Sequence, residues 1–284
     1  MIIKWRDFQN EQERDSYLAH ELNGLWLSDP QHYPKFGDNR VVGGRTAALQ
    51  KLNEFTPHDY GQSRNFLNAP VSQLSPYLRH GFLHLNEVRV YLQQHFTETV
   101  TILEEFLRQL SWRDFFLWVL DYYGDAIHDN LETPKHRVPR SRAAPEDLLE
   151  GNTGLPCVDS WFASLRENGY LHNHERLWFA AYWCHFRGID WTLGARLFRQ
   201  YLLDGDIASN SCSWQWVEST FASKPYFMNQ ENIAKYSHNR WCSNCLADCP
   251  FRESYDQLQE TLFLGGVAPF ATKNASSKNA ESNK

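Results

Sequence analysis

Several residue types are scarce in this 284-residue sequence, and each shortage excludes something. Valine and isoleucine together occur 18 times against 32 leucines; that balance favours helices over strands and argues against a large parallel sheet. Cysteine occurs six times, too rarely for a disulfide scaffold, and thiols clustered in a reducing compartment serve metal binding or redox work instead. No apolar run approaches the roughly 20 residues that span a bilayer. Met1 to Leu18 is polar and mixed in charge, without the apolar stretch of a secretory signal. A cytoplasmic chain with no membrane partner is therefore expected. Lys plus Arg (28) fall short of Asp plus Glu (34). The deficit disfavours a nucleic-acid coat protein but permits a local basic face. Gly43-Gly44 lacks the dinucleotide-binding glycine spacing, and no P-loop pattern occurs.

Aromatic residues are abundant instead. Eleven Trp, 13 Tyr and 18 Phe make up 15% of the chain, more than core filling alone asks for, so stacking or electron transfer is expected of some of them.

The apolar spacing of Ala48, Leu49, Leu52 and Phe55 predicts a helix over Arg45 to Phe55. Ser72 to Pro76 reads as a loop feeding a helix start, with serine as cap and proline in the first turn. Thr99 to Tyr123 predicts a long, mostly buried helix. Lys135, Arg137, Arg140 and Arg142 form one local basic loop suited to a phosphate backbone, with Arg79 and His80 as neighbours. Helical patterning resumes from Ser160 to Leu203, and Thr272 to Lys284 reads as a disordered tail. Asp204-Gly205-Asp206-Ile207-Ala208-Ser209-Asn210 is read either as a solvated turn with a helix cap or as part of a site. Trp178, Trp183, Trp191, Trp214 and Trp216 stand close by in sequence.

Linked motifs carry a family resemblance. Thr153-Gly154-Leu155-Pro156-Cys157-Val158-Asp159, then Gly169 to Arg176, Asp190-Trp191, Asp204-Gly205-Asp206 and Trp214-Gln215-Trp216 resemble the FAD-binding domain of the DNA photolyase and cryptochrome family in order and spacing. Tyr60 to Arg64, Ser72 to Leu78 and Gln109 to Phe115 extend the likeness. The resemblance implies an all-α bowl holding a bent FAD, with residues 43–265 as the helical domain, 1–42 as an N-terminal extension and 266–284 as a tail. It leaves no counterpart of the family's α/β antenna domain, so no antenna chromophore is expected.

Carried over position by position, the resemblance implies that Tyr60, Ser72, Gln73, Leu74 and Ser75 hold the phosphates, while Phe106 and Arg113 line the pocket. Arg176, Asp204, Gly205 and Asp206 surround the isoalloxazine, and Asn210 faces flavin N5. Trp214 and Trp191 match the first two members of the family's electron-transfer chain. Leu148 stands where its outer tryptophan would be. On the substrate side the resemblance points to Gln109, Trp112, Asn173, His174 and Trp216. Gln109 looks like the pyrimidine-pyrimidone photolyases and animal cryptochromes, whereas Asn173 looks like the dimer-repair pattern. The implied activity is light-driven repair of UV photoproducts in single- or double-stranded DNA, the alternative being a blue-light receptor or redox sensor.

Cys242-Ser243-Asn244-Cys245 and Cys249-Pro250-Phe251 form a CxxC and a third thiol. This segment resembles the bacterial iron–sulfur branch of the same family, with Cys157 matching the remaining ligand. The resemblance implies a [4Fe–4S] cluster on Cys157, Cys242, Cys245 and Cys249, with structural zinc and free thiols as alternatives. Cys184 and Cys212 read as buried small hydrophobes.

Overall fold

Leucine-rich, β-branched-poor stretches fold as helices wherever the computed structural model describes them, namely Glu13 and residues 41–96, 100–136 and 138–264. In chain order these are α1 (Arg45–Glu54), α2 (Tyr60–Ser63), α3 (Ser75–Arg79), α4 (Leu85–His95), α5 (Val100–Tyr123), α6 (Glu146–Glu150), α7 (Pro156–Asn168), α8 (Asn173–Ala181), α9 (Trp191–Tyr201), α10 (Ile207–Glu218), α11 (Gln230–Tyr236) and α12 (Tyr255–Gln259). Among the described residues the only β pairing is an isolated bridge between Ser141 and Ile189, and no helix is long and apolar enough to cross a membrane.

One apolar core joins α7, α8, α9 and α10 through Trp161, Phe179, Phe198 and Trp214. A second joins α1, α3, α4 and α5 through Leu52, Leu74, Val88 and Phe106. Polar caps fix where α8, α9 and α10 begin. Asp190 accepts from the Thr192 N–H at 2.9 Å, and Asp206 accepts from the Ser209 N–H at 2.8 Å, each satisfying an otherwise orphaned donor. His172 Nδ1 accepts from the His174 N–H while Glu175 accepts from the His172 N–H, a capping box that starts α8. Gly169, at φ 61°, ends α7, and its N–H is bonded to Leu165. A Cβ there would meet the Leu203 side chain at 3.0 Å and the Tyr201 carbonyl at 3.1 Å. The turns at 169–172 and 202–206 therefore lie against each other, bringing the starts of α8 and α10 together.

The expected first helix, the α3 start with Pro76 in its first turn, and the long α5 all form. Two details differ. The α3 cap is Leu74, without a side-chain cap bond. Helix α5 is not mostly buried: Trp118 is 75% and Tyr122 82% exposed, because neighbouring elements cover only the Leu103, Phe106 and Val119 side. The single apolar pattern predicted from Ser160 to Leu203 resolves into α7, α8 with a following π-turn (Tyr182–Phe186), and α9. The 272–284 tail lies outside the described residues.

Candidate functional site

A cavity opens where α2, α3, α5, α8, α9 and α10 converge. Twelve residues singled out from sequence line it: Tyr60, Ser72, Gln73, Leu74, Ser75, Gln109, Arg113, Asn173, Arg176, Asp204, Asn210 and Trp214. Gln73 sits in the left-handed region at φ 51°, turning the 72–75 loop so that it precedes the α3 start.

The charged set is the firmest part of the wall. Arg176 on α8 donates from Nη1 and Nη2 to the two oxygens of Asp204, both at 3.0 Å, and from Nε to the Leu171 carbonyl at 2.9 Å. Burial would raise the Asp204 carboxyl, but the charge and hydrogen bonds of Arg176, with Ser75 and Arg113, hold it below the usual carboxylate range. Arg113 Nη2 lies 2.9 Å from Asp206 Oδ2, an ion contact without hydrogen-bond alignment. Asp206 itself caps α10 rather than lining the cavity.

Asn210 donates from Nδ2 to the Ala195 carbonyl at 2.8 Å. This fixes the amide orientation and leaves Oδ1 free to accept. Gln109 donates from Nε2 to Glu105 at 2.8 Å, which likewise leaves its Oε1 to accept.

Several residues singled out from sequence stand elsewhere. Phe106 is buried and props Tyr60 from behind, ring to ring at 5.1 Å. The Gly205 carbonyl accepts from Arg79 Nε at 3.1 Å. A Cβ on Gly205 would meet backbone atoms of α9 and Leu202 at 3.1–3.2 Å, so glycine there allows a close approach. His174 is buried and stacks on Tyr236 at 4.6 Å, and burial lowers its pKa to about 4, so it is neutral packing. Trp112 and Trp216 lie outside the cavity wall with 47% and 43% of their surface exposed. Trp191 is buried on α9 and donates to Asn130 at 2.7 Å. Trp214 packs on Gly194, three residues further along that helix.

Sequence reasoning gave no role to Arg64, Tyr170, His172, Phe198, Ser209 or Ser213, all of which line the cavity. The signal for His172 and Ser209 was their place at the starts of α8 and α10. His172 Nε2, Ser209 Oγ and Trp214 Nε1 are all buried without a hydrogen-bond partner. Such groups cost about 1–3 kcal/mol each when left unmade, so three orphaned atoms around one polar-edged cavity fit a wall completed by a polar ligand.

The basic loop does not form a common face. Arg140 turns inward: its Nε donates to Glu218 at 2.8 Å, and its Nη2 lies 2.9 Å from His185 Nδ1 and 3.1 Å from Glu218 Oε2. Lys135 pairs with Glu132. Arg79 and His80 hold the 203–205 turn through backbone carbonyls, and Arg137 lies outside the described residues. The ion pairs open to Arg140 and Lys135 inside the chain outcompete an outward array. His136, His185 and Glu218 are the one group of three metal-type ligands within 4.8 Å of one another among the described residues, and the Arg140 guanidinium is the cation they hold.

Folding also gathers the cysteines. Cys157, in the first turn of α7, is buried, with its thiol pushed up to about 12 by burial and by Cys249 and Cys242 nearby. Cys245 in turn acts on Cys242 and Cys249. The four thiols thus form one neighbourhood although Cys157 is remote in sequence, and none is in a disulfide.

Comparison with known proteins agrees with this geometry. Residues 106–242 match the family described as the FAD binding domain of DNA photolyase. A deoxyribodipyrimidine photo-lyase of Vibrio cholerae is 33% identical over 210 residues, covering 69% of this chain and 44% of the relative. A cryptochrome DASH of Synechocystis is 31% identical over 211 residues, covering 68% and 43%. Among solved structures, a Synechocystis cryptochrome superposes with a TM-score of 0.64 at 26% identity, covering 72% of this chain and 46% of that one. An archaeal photolyase of Sulfolobus tokodaii, solved with two FAD molecules, gives 0.57 at 25% identity, covering 80% and 52%. The chain thus spans under half the length of these curated relatives. The helical architecture, the linked motifs and these matches place the chain in the DNA photolyase and cryptochrome family, with its helices forming the FAD-binding domain.

Proposed function

We propose that the chain is a light-driven flavoenzyme of the photolyase type, a lyase acting on UV pyrimidine photoproducts in DNA. The observation that carries this reading is the single cavity that gathers the Arg176–Asp204 pair, the Asn210 amide and the Gln109–Asn173 edge. Bound there in its reduced form and excited by blue light, FAD would supply one electron to the photoproduct and recover it after bond cleavage. Tyr60, Ser72, Gln73, Leu74 and Ser75 hold the phosphates through hydroxyls and backbone N–H groups. Arg176 offsets both the carboxylates and the negative charge of a reduced flavin. Asn210 would offer the flavin a neutral amide that does not itself titrate. Phe198, Leu202 and Val217 keep water from one wall. Trp214 and Trp191, on the packed helices α10 and α9, would pass an electron inward to the flavin.

The DNA partner would present a flipped lesion to Gln109 Oε1 and Asn173, with Trp112 and Trp216 as exposed stacking faces. Flipping costs a few kcal/mol and is easiest at a damaged or single-stranded base. The four-thiol neighbourhood supports a [4Fe–4S] cluster on Cys157, Cys242, Cys245 and Cys249, where it would pin the C-terminal loop to α7.

A second reading, a cryptochrome-like receptor or redox sensor, draws on the resemblance: Leu148, where the family's outer tryptophan would stand, is fully buried and cannot relay an electron as an indole does. Illumination of the reduced protein with oligonucleotides bearing each photoproduct, single- and double-stranded, separates the two. Light-dependent loss of either photoproduct supports the lyase. Intact photoproducts alongside a flavin that photoreduces through Trp214 favour the sensor.

A further inference from the structure

A second cavity, of about 590 Å³, opens on the α9 side and is walled by Trp191 together with Arg142, Arg196 and Arg199. These three arginines have a property in common. Every other described arginine meets a carboxylate, a carbonyl, an amide or an aromatic ring, whereas Arg142, Arg196 and Arg199 meet none. The three unpartnered guanidinium groups of the described residues therefore share one concavity, although Arg142 comes from the loop before α6 and the others from α9.

The acids nearby do not neutralise them. Asp190 is committed to capping α9, accepting from the Thr192 N–H and hydroxyl, which leaves Asp129 as the one uncommitted carboxylate in the wall. The planar guanidinium fork of arginine matches the oxygens of a phosphate bidentately. Arg196 and Arg199 stand one helical turn apart, with side chains on the same face. The volume falls in the range of small-molecule sites.

We propose that this cavity is an anion site for a small phosphate-bearing molecule carrying more than one negative charge. It is separate from the flavin cavity and independent of the photolyase reading: the two share no lining residue.

The test uses the flavin-loaded full chain and inorganic pyrophosphate as probe, followed by calorimetry and phosphorus NMR line broadening at low salt. Saturable binding that weakens at least about tenfold in the double variant Arg196→Gln/Arg199→Gln and in Arg142→Gln, and that is unchanged in Arg89→Gln on α4, supports the site. These positions are exposed, so circular dichroism and flavin content should be unchanged in every variant. No binding, or equal binding by all variants, overturns it. Displacement of pyrophosphate by a short undamaged oligonucleotide that itself needs the same arginines also overturns it, assigning the cavity to a DNA backbone instead.

Discussion

Arg176 and Asp204 meet through two parallel hydrogen bonds, both at 3.0 Å, across the wall of the flavin cavity. The pair ties α8 to the turn that leads into α10, so cavity shape and charge depend on the same contact. Removing one partner of a buried pair leaves the other charge uncompensated, at a cost of about 3–5 kcal/mol. Asp204→Ala should therefore lose most of its bound flavin and unfold at clearly lower denaturant. Asp204→Asn, which keeps the shape, should be milder in stability and still poor in flavin. The flavin-to-protein absorbance ratio and urea midpoints check this, and wild-type values in Asp204→Ala would remove the pair from the cavity's support.

The cysteine neighbourhood makes a compositional prediction. Protein purified without oxygen should carry iron and acid-labile sulfide in equal amounts, with a broad visible shoulder that dithionite bleaches. Cys157→Ala should abolish both, while Cys212→Ala, whose thiol packs with Val119 and Ile127 in a separate cluster, should retain them. Zinc in place of iron, or iron retained in Cys157→Ala, would falsify the cluster assignment.

Stability should fall between pH 6.5 and about 4 through His172 and His174. Burial lowers both to about 4, assisted at His172 by His174 and Arg176 and at His174 by Arg64. The unfolded chain takes up protons below about 6.5 that the folded chain refuses, so stability is present above that pH. Each histidine removes up to about 1.4 kcal/mol per pH unit through the window. His174→Phe keeps the stacking on Tyr236 and deletes the titration. Denaturation at pH 7, 6 and 5 should show a shallower decline in that variant, and an unchanged slope would remove His174 as a contributor.

How much of this was legible in the sequence depends on the kind of contact. The helices were readable because leucine periodicity and cap residues are local, and the cavity wall because its residues come in short motifs at element starts. The inward turn of Arg140 was not, since it depends on Glu218, 78 residues away, and a basic loop looks the same in sequence whether it faces water or an acid. The exposed stripe of α5 escaped for a related reason: Trp118 and Tyr122 have the side chains of a core, and among the described residues no element covers them. His172 and Ser209 were within the recognised segments, yet their importance comes from orphaned polar atoms, which no sequence pattern records.

Gly194 makes the sharpest steric prediction. A Cβ at this position would lie 2.2 Å from Trp214 Cη2 and 2.5 Å from Cζ3, far inside contact distance, and the obstacle is a rigid ring rather than the end of a flexible chain. Glycine at this point of α9 is thus needed for the close approach of α10, not for backbone freedom. Gly194→Ala should stabilise the isolated helix slightly yet destabilise the protein by about 1–3 kcal/mol through overpacking. It should also shift Trp214 against Phe198, which lies 5.0 Å away ring to ring. Because Trp214 lines the cavity, flavin photoreduction should slow in the variant even where flavin content is preserved. Transient absorption after a blue pulse and thermal denaturation measure the two effects independently. A variant with normal stability and normal photoreduction would mean that α9 and α10 tolerate separation, and that Trp214 is not held in place by Gly194.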